Sequence, residues 1–194
     1  MKLIFATNNI YKFREIREAL SANIELQKLE DIGCTEELPE TKETLEGNAE
    51  QKARYVFEKY GYNCFADDTG LEIHTLDGKP GVYSARYAGD LKDPKKNMKK
   101  VLEEMKNSSD RSARFRTVIA LIINGETIFF EGSVEGQILR ELHGDKGFGY
   151  DPIFLPDNHT QSFAQMDLQE KNAISHRGKA VRQLVKYLNM HYSK

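Results

Sequence analysis

KLIFATNNIYKFREIREAL, residues 2–20, decides the fold class. Residues 2–6 form a short apolar run that reads as a first β-strand. Thr7 and Asn8 are good helix-capping types, and Ile10, Phe13, Ile16 and Leu20 then recur at helical spacing. A strand that passes through a polar turn straight into an amphipathic helix is the signature of an α/β protein. At such a turn the first N–H groups of the helix point outward and favour an anion. Asn9 adds an amide donor there and Lys12 adds a cation one turn in. The turn reads as a phosphate cradle or as plain capping with Lys12 on a solvated face. G-x-x-x-x-G-K-[ST] is absent, so it is not a P-loop.

Outward from this turn the chain keeps alternating strand and helix. Residues 24–29 predict a second strand. Thr44 can cap a helix carrying Leu45, Ala49, Ala53, Val56, Phe57 and Tyr60, which stops at Gly61. Residues 64–66 predict a short strand running into Asp67-Asp68-Thr69-Gly70, and residues 71–76 look extended before the turn at 77–81. Asp93-Pro94 caps a helix with Met98, Val101, Leu102 and Met105 on one face. Residues 112–124 and 126–139 predict two long strands joined at Asn124-Gly125, a strong hairpin signal. A glycine-rich segment at 144–151 follows. Asp167 starts a helical segment, and Ala180, Val181, Leu184, Val185 and Leu188 mark the last helix. No repeat, linker or low-complexity tract interrupts the chain, which predicts one continuous unit with two lobes.

The 194 residues and 22.2 kDa suffice for a real core. Hydrophobic residues make up 39% and charged residues 30%, which is not the profile of a disordered chain. The net charge of −2 excludes a generally basic nucleic-acid binder. Charge is segregated even so: residues 30–50 hold eight carboxylates and one Lys, whereas residues 171–194 hold six Lys or Arg and no acid. The opening MKLIFATNN is too short for a signal peptide, and no apolar run approaches a membrane span. Cys34 and Cys64 are the only cysteines and form no C-x-x-C. That predicts a reduced, cytoplasmic protein without a zinc site or disulfide framework.

Further segments can carry chemistry. Asp67 and Asp68 are adjacent carboxylates, which an extended backbone points to opposite sides, so they cannot share one job. One suits a metal or an activated water, the other a structural partner such as backbone N–H or Lys. The acidic run at 36–50 can add a ligand or lie solvated. In Gly147-Phe148-Gly149-Tyr150-Asp151, flanking glycines let the backbone approach a planar ligand, Phe148 can stack on a base and Asp151 can accept from a ring edge. Lys171, His176 and Arg177 place donors and cations near a helix start. Together these describe a ligand that is polyanionic, metal-bound and carries a flat ring: a nucleoside triphosphate.

The segments ATNNIYK (6–12), TLEGNAEQKA (44–53), ADDTGLEI (66–73), PGVYSARYAG (80–89), GFGYDPIF (147–154) and EKNAISHRGKA (170–180) occur in the order seen in the inosine triphosphate pyrophosphatase family. The chain resembles that family, the dITP/XTP pyrophosphatases, over about nine-tenths of its length. The resemblance implies an ITPase-like domain covering 1–194. Its fold would be mixed α/β, with a long twisted central sheet and flanking helices forming two lobes around a substrate cleft. It also implies a homodimer and Mg²⁺ as cofactor. By matching positions, Thr7, Asn8, Asn9, Ile10, Tyr11 and Lys12 correspond to the triphosphate-binding segment and Lys52 to a phosphate-binding lysine. Glu40 corresponds to the metal-associated glutamate, and Asp68 to the magnesium ligand and general base. Thr69 stands where a substrate-contacting Ser is common, and Asn8 where Gly is commoner. Phe148, Gly149, Tyr150 and Asp151, with Lys171, His176 and Arg177, correspond to the base-binding residues.

The implied reaction is hydrolysis of ITP, dITP or XTP to the monophosphate and diphosphate, clearing deaminated purines from the nucleotide pool. Asp68, Lys12 and Lys52 would be catalytic. His176 and Arg177 would present donors to the 6-oxo group, which adenine lacks. The alternative is a pyrophosphatase for another modified or pyrimidine nucleotide. Neither nucleic acid nor membrane is expected as a partner.

Overall fold

A computed structural model describes residues 2–20 and 24–192; Met1 of the opening segment and Lys194 of the basic end lie outside them. In chain order the elements are β1 (Lys2–Phe5), α1 (Ile10–Ala19), β2 (Glu25–Gln27), α2 (Leu45–Tyr60), β3 (Cys64–Ile73), β4 (Pro80–Gly81), α3 (Pro94–Glu104), β5 (Ser112–Ile123), β6 (Glu126–Ile138), β7 (Phe154–Pro156), α4 (Leu168–Ile174) and α5 (His176–Tyr192). The sheet order is β2-β1-β3-β5-β6-β7, with β4 paired on β3. β1 runs parallel to β2 and β3, whereas β3–β4 and β6–β7 are antiparallel, so the α/β fold is of the mixed kind.

The chain folds as two compact units. The first comprises Met1–Asp68, Thr117–Gly132 and Arg177–Lys194; the second comprises Thr69–Arg116 and Ser133–His176. In the first unit the two-residue period of a strand sorts side chains onto two dry faces. Leu3, Phe5, Phe65, Ile119, Leu121 and Ile123 pack with Phe13 and Ile16 of α1 and with Ala180, Val181, Leu184 and Leu188 of α5. Their sequence neighbours Ile4, Ala6, Cys64, Ala66, Ala120 and Ile122 pack with Ala49, Ala53 and Val56 of α2. Each large apolar side chain buried this way contributes about 1.5–3 kcal/mol. The second unit has its own core, in which Leu71, Ile73 and Phe115 meet Met98, Val101 and Met105 of α3 and Phe154 and Phe163.

Local signals fix the element ends. Thr44 Oγ1 accepts from Gly47 N–H at the start of α2, and Gly61 closes that helix at φ 75°. Asp93 accepts from Lys95 and Lys96 N–H ahead of Pro94. Asp167 and Glu170 form a reciprocal capping box on α4. Asn124 and Gly125 both take positive φ, 53° and 90°, as the tight hairpin turn requires.

The structure departs from the sequence expectations at several ends. The second strand covers only Glu25–Gln27, because a 3₁₀ turn at Glu30–Ile32 closes onto Gly33. The two extended stretches flanking Asp67-Asp68-Thr69-Gly70 are one strand, Cys64–Ile73, which ends in a 3₁₀ turn at His74–Leu76. The aspartates therefore sit inside a strand and not at its end. The short strands β4 and β7 were not anticipated.

Candidate active site

The face alternation of β3 carries straight into the aspartate pair. Asp67 shares the parity of Phe65 and so meets α1 and α5; Asp68 shares the parity of Ala66 and meets α2. Asp67 accepts from Lys12 Nζ of α1 at 3.1 Å. The Arg177 guanidinium of α5 approaches Asp67 Oδ2 at 3.3 Å through both Nε and Nη2. Arg177 also pairs with Glu15, one turn along α1 from Lys12. On the other face Asp68 Oδ2 accepts from Asn48 Nδ2 at 3.2 Å, and its Oδ1 lies 3.7 Å from Lys52 Nζ. Lys52 also donates to the Asp67 main-chain carbonyl at 2.8 Å and to Glu40 Oε1 at 2.5 Å.

These environments separate the two carboxyls. Burial pushes Asp67 up, but Lys12, Arg177 and Lys52 outweigh it and hold the group well below the usual carboxylate range. For Asp68 burial wins: Lys52 and Lys12 pull down, Glu40 pushes up, and the group lies above its ordinary value. Burial also lowers Lys12, and the positive Lys52 and Arg177 add to that against Asp67. Lys52, although burial opposes its charge, is raised by Asp68, Glu40 and Asp67. One strand thus presents a firmly ionised carboxylate to one side and a more basic one to the other.

The loop before α2 brings Glu40 to this cluster because α2 holds its main chain. Thr41 N–H donates to Gln51 Oε1 at 2.9 Å and Lys42 N–H to Asn48 Oδ1 at 2.8 Å. Asp68 and Glu40 are two carboxylates around one lysine. A divalent cation such as magnesium is commonly bound by one or two carboxylates plus phosphate oxygens and water, so this donor set fits it. Among the described residues no group of three or more His, Cys, Asp or Glu forms a metal cage.

In the β1–α1 turn, Asn9 acts through its oxygen. Oδ1 caps α1 by accepting from Tyr11 N–H at 3.0 Å and Lys12 N–H at 3.2 Å, so that oxygen satisfies helix donors which an anion would otherwise meet. Thr7 Oγ1 accepts from Asn9 N–H, and Asn8 Nδ2 donates to the Glu36 carbonyl at 3.3 Å. Ile10 and Tyr11 are exposed. Lys12 is not on a solvated face; its side chain is 14% exposed and directed to Asp67.

The second unit gathers a different set. Asp151 Oδ2 accepts from Phe148 N–H at 2.8 Å and from Lys171 Nζ at 2.6 Å. A Cβ on Gly147, which sits at φ 71°, would lie 2.1 Å from that same oxygen, so only glycine fits there. Lys171 Nζ stands 4.9 Å from the Phe148 ring centre. Tyr150 is buried and donates to the Ser84 carbonyl at 2.8 Å, tying this loop to the 80–89 segment. His176 is buried and stacks on Phe115 at 4.6 Å. Gly149 takes φ 64° in the same turn, and Thr69 follows Asp68 as a half-buried residue of β3.

The sequence-selected residues Lys12, Glu40, Lys52, Asp68 and Arg177 come together in the first unit, and Phe148, Asp151 and Lys171 in the second. Arg177, which the resemblance groups with His176, directs its guanidinium to Glu15 and Asp67 from the start of α5. Sequence reasoning passed over Asn48 and Glu15. Both had a signal: Asn48 is one turn before Lys52 on the same face of α2, and Glu15 interrupts the apolar stripe between Phe13 and Ile16.

Comparison with known proteins adds the family context. A family model described as the Ham1 family matches residues 3–187. A dITP/XTP pyrophosphatase of Christiangramia forsetii is 57% identical over 189 residues, covering 97% of this chain and 100% of the relative. A dITP/XTP pyrophosphatase of Flavobacterium johnsoniae is 53% identical, covering 97% and 98%. Among solved structures, a HAM1 protein from Coxiella burnetii superposes with a TM-score of 0.90 at 40% identity, over 98% of this chain and 99% of that one. The Staphylococcus aureus Ham1 protein gives 0.89 at 34% identity, over the same shares of 98% and 99%.

Proposed function

The chain belongs to the Ham1 family, and from that membership we propose that it hydrolyses the triphosphates of deaminated purines (dITP, ITP and XTP) to the monophosphate and diphosphate. The relatives named dITP/XTP pyrophosphatase support the substrate class. The observation that carries the chemistry is the division of labour between Asp67 and Asp68. Asp67 neutralises Lys12 and Arg177, whereas Asp68 is a buried carboxylate of raised basicity beside Lys52 and Glu40.

Water attacks the α-phosphorus, and Asp68 takes its proton. Its burial and the fixed orientation of its carboxyl suit it to that step. Asn48 fixes one oxygen of Asp68 and so orients the other. Lys52 and Lys12 offset charge on the phosphate oxygens, where fixed cations in a dry site count for more than in water. The bond from the α-phosphorus to the bridging oxygen breaks, and diphosphate leaves. Mg²⁺ would be held by Asp68 and Glu40, and when bound supplies further neutralisation and a more acidic water.

The purine is assigned to the second unit. Phe148 offers a ring face, and Lys171 and His176 are the donors for a 6-oxo acceptor, while adenine would set donor against donor. The two units serve as lobes of one domain, since β3, β5 and β6 each run from one into the other. A homodimer and a cytoplasmic setting complete the reading. The second is supported by two buried free cysteines and by the absence, among the described residues, of a helix long and apolar enough to cross a membrane.

Diphosphate release from dITP, XTP, dGTP and dATP with Mg²⁺ tests the proposal. Efficiency on dITP and XTP should exceed that on dATP by about 100-fold, the worth of two mispaired buried groups. In heavy-oxygen water the label should enter the monophosphate. Equal efficiency on dATP would overturn the substrate assignment, and label in the diphosphate would overturn attack at the α-phosphorus.

A further inference from the structure

Glu36 lies on the acid loop of the first unit and gathers an unusual set of donors. A single carboxylate oxygen, Oε1, accepts from Lys59 Nζ at 2.5 Å, Tyr60 Oη at 2.7 Å and Tyr55 Oη at 3.0 Å, all from α2. Oε2 accepts from Thr35 N–H at 3.2 Å, and the Glu36 main-chain carbonyl accepts from Asn8 of the β1–α1 turn at 3.3 Å. Lys59 adds a bond to Tyr55 Oη at 3.1 Å and stands over both tyrosine rings. Hydrogen bonds from Lys59 first, and from Tyr60 next, hold the Glu36 carboxyl well below its ordinary range. An isolated surface pair does little, but this one oxygen joins three donors of one helix to a loop. At the loop's other end Thr41 and Lys42 are tied to Gln51 and Asn48 of the same helix. Glu40 therefore hangs between two anchors, and Glu36 is one of them.

We propose that Glu36 is a positioning residue: its carboxylate clamps the acid loop to α2 and its carbonyl holds the β1–α1 turn, so that Glu40 stays on Lys52 beside Asp68. The inference rests on the proposed function for its consequence in catalysis, but its structural content stands apart from turnover. With Glu36 released, the loop before Glu40 would lose its tie to Lys59, Tyr55 and Tyr60 of α2, while the 41–42 anchor and the packing of Leu38 remain. A metal site loses affinity when the groups that orient its ligands are removed.

The test compares the full-length wild type with Glu36→Ala and Glu36→Gln by hydrogen exchange and by the Mg²⁺ dependence of dITP hydrolysis. In Glu36→Ala the amides of residues 36–42 should exchange about 10-fold faster while the interior of α2 is unchanged. Half-saturating Mg²⁺ should rise about 10-fold, with kcat at saturating Mg²⁺ close to wild type. Glu36→Gln keeps an accepting oxygen but loses the charge that pairs with Lys59, and should fall between wild type and Glu36→Ala in both. Unaltered exchange at 36–42, or a lowered melting temperature with no change in Mg²⁺ requirement, would overturn the positioning role. A wild type that does not hydrolyse dITP would overturn the proposed function instead, and the exchange comparison would still decide the role of Glu36. Should Glu36→Ala fail to fold, the Tyr55→Phe/Tyr60→Phe pair removes two of the three donors and gives the same comparison.

Discussion

Asp67 and Asp68 differ by one position and by everything around them. Asp67 has no exposed side-chain surface and answers two cations, Lys12 and Arg177. Replacing it with Asn would leave those cations buried against a neutral group, and breaking such a pair costs about 3–5 kcal/mol. Urea unfolding of Asp67→Asn should show that loss; a stability equal to wild type would mean that the pair contributes nothing net. Cys64, the first residue of the same strand, makes a separate prediction. Burial pushes its thiol up to about 12, and Sγ donates to the Ala53 carbonyl at 3.1 Å. The folded protein should therefore resist iodoacetamide at Cys64 well into alkaline pH and react only on unfolding. Because the unfolded thiol ionises first, its contribution to stability is intact below about pH 8.5 and declines as pH rises toward 12. At this scale the sequence was informative about residue types. It pointed to two unlike aspartates, since alternation along an extended chain is a local rule. It could not point to the partners: Glu15 lies 162 positions from Arg177, and only the packing of α1 and α5 on one sheet face joins them.

At the scale of elements, caps and turns were the most legible features, because each depends on neighbours within four residues. Thr44, Asp93 and Asp167 start their helices and Asn124-Gly125 turns the hairpin as their types require. The length of β3 was less legible. A pair of acids and a glycine look like a break, and the strand continues because lysines on both faces compensate the acids. The clamp between the acid loop and α2 predicts a pH response. A carboxyl depressed in the folded state adds stability above its unfolded value of 4.5 and loses it as pH falls. The melting temperatures of wild type and Glu36→Gln should therefore differ most above about pH 5, and the difference should shrink progressively as pH falls from about 4.3, the ordinary glutamate value, toward the strongly depressed folded value. A constant difference across that range would show that the charge of Glu36 is not what holds the loop.

For the whole molecule, the sheet organises function by sorting neighbouring residues to opposite faces. The rule that buries Phe65 against one layer and Ala66 against another delivers Asp67 and Asp68 to different helices. Membership of the Ham1 family gives that arrangement its chemical context, and the hydrogen-bonded set of Phe148, Asp151 and Lys171 belongs to a unit with a separate core. The family resemblance was legible from short motifs spread along the chain, whereas the placement of Arg177 required coordinates. The claim on which the account depends is that Asp68, and not its neighbour, carries the reaction. The direct measurement is the rate of diphosphate release from dITP by Asp68→Asn at saturating Mg²⁺, on protein shown to be folded by its melting curve. The account predicts a loss of at least about 100-fold in kcat; a folded Asp68→Asn variant that turns over near the wild-type rate would contradict it.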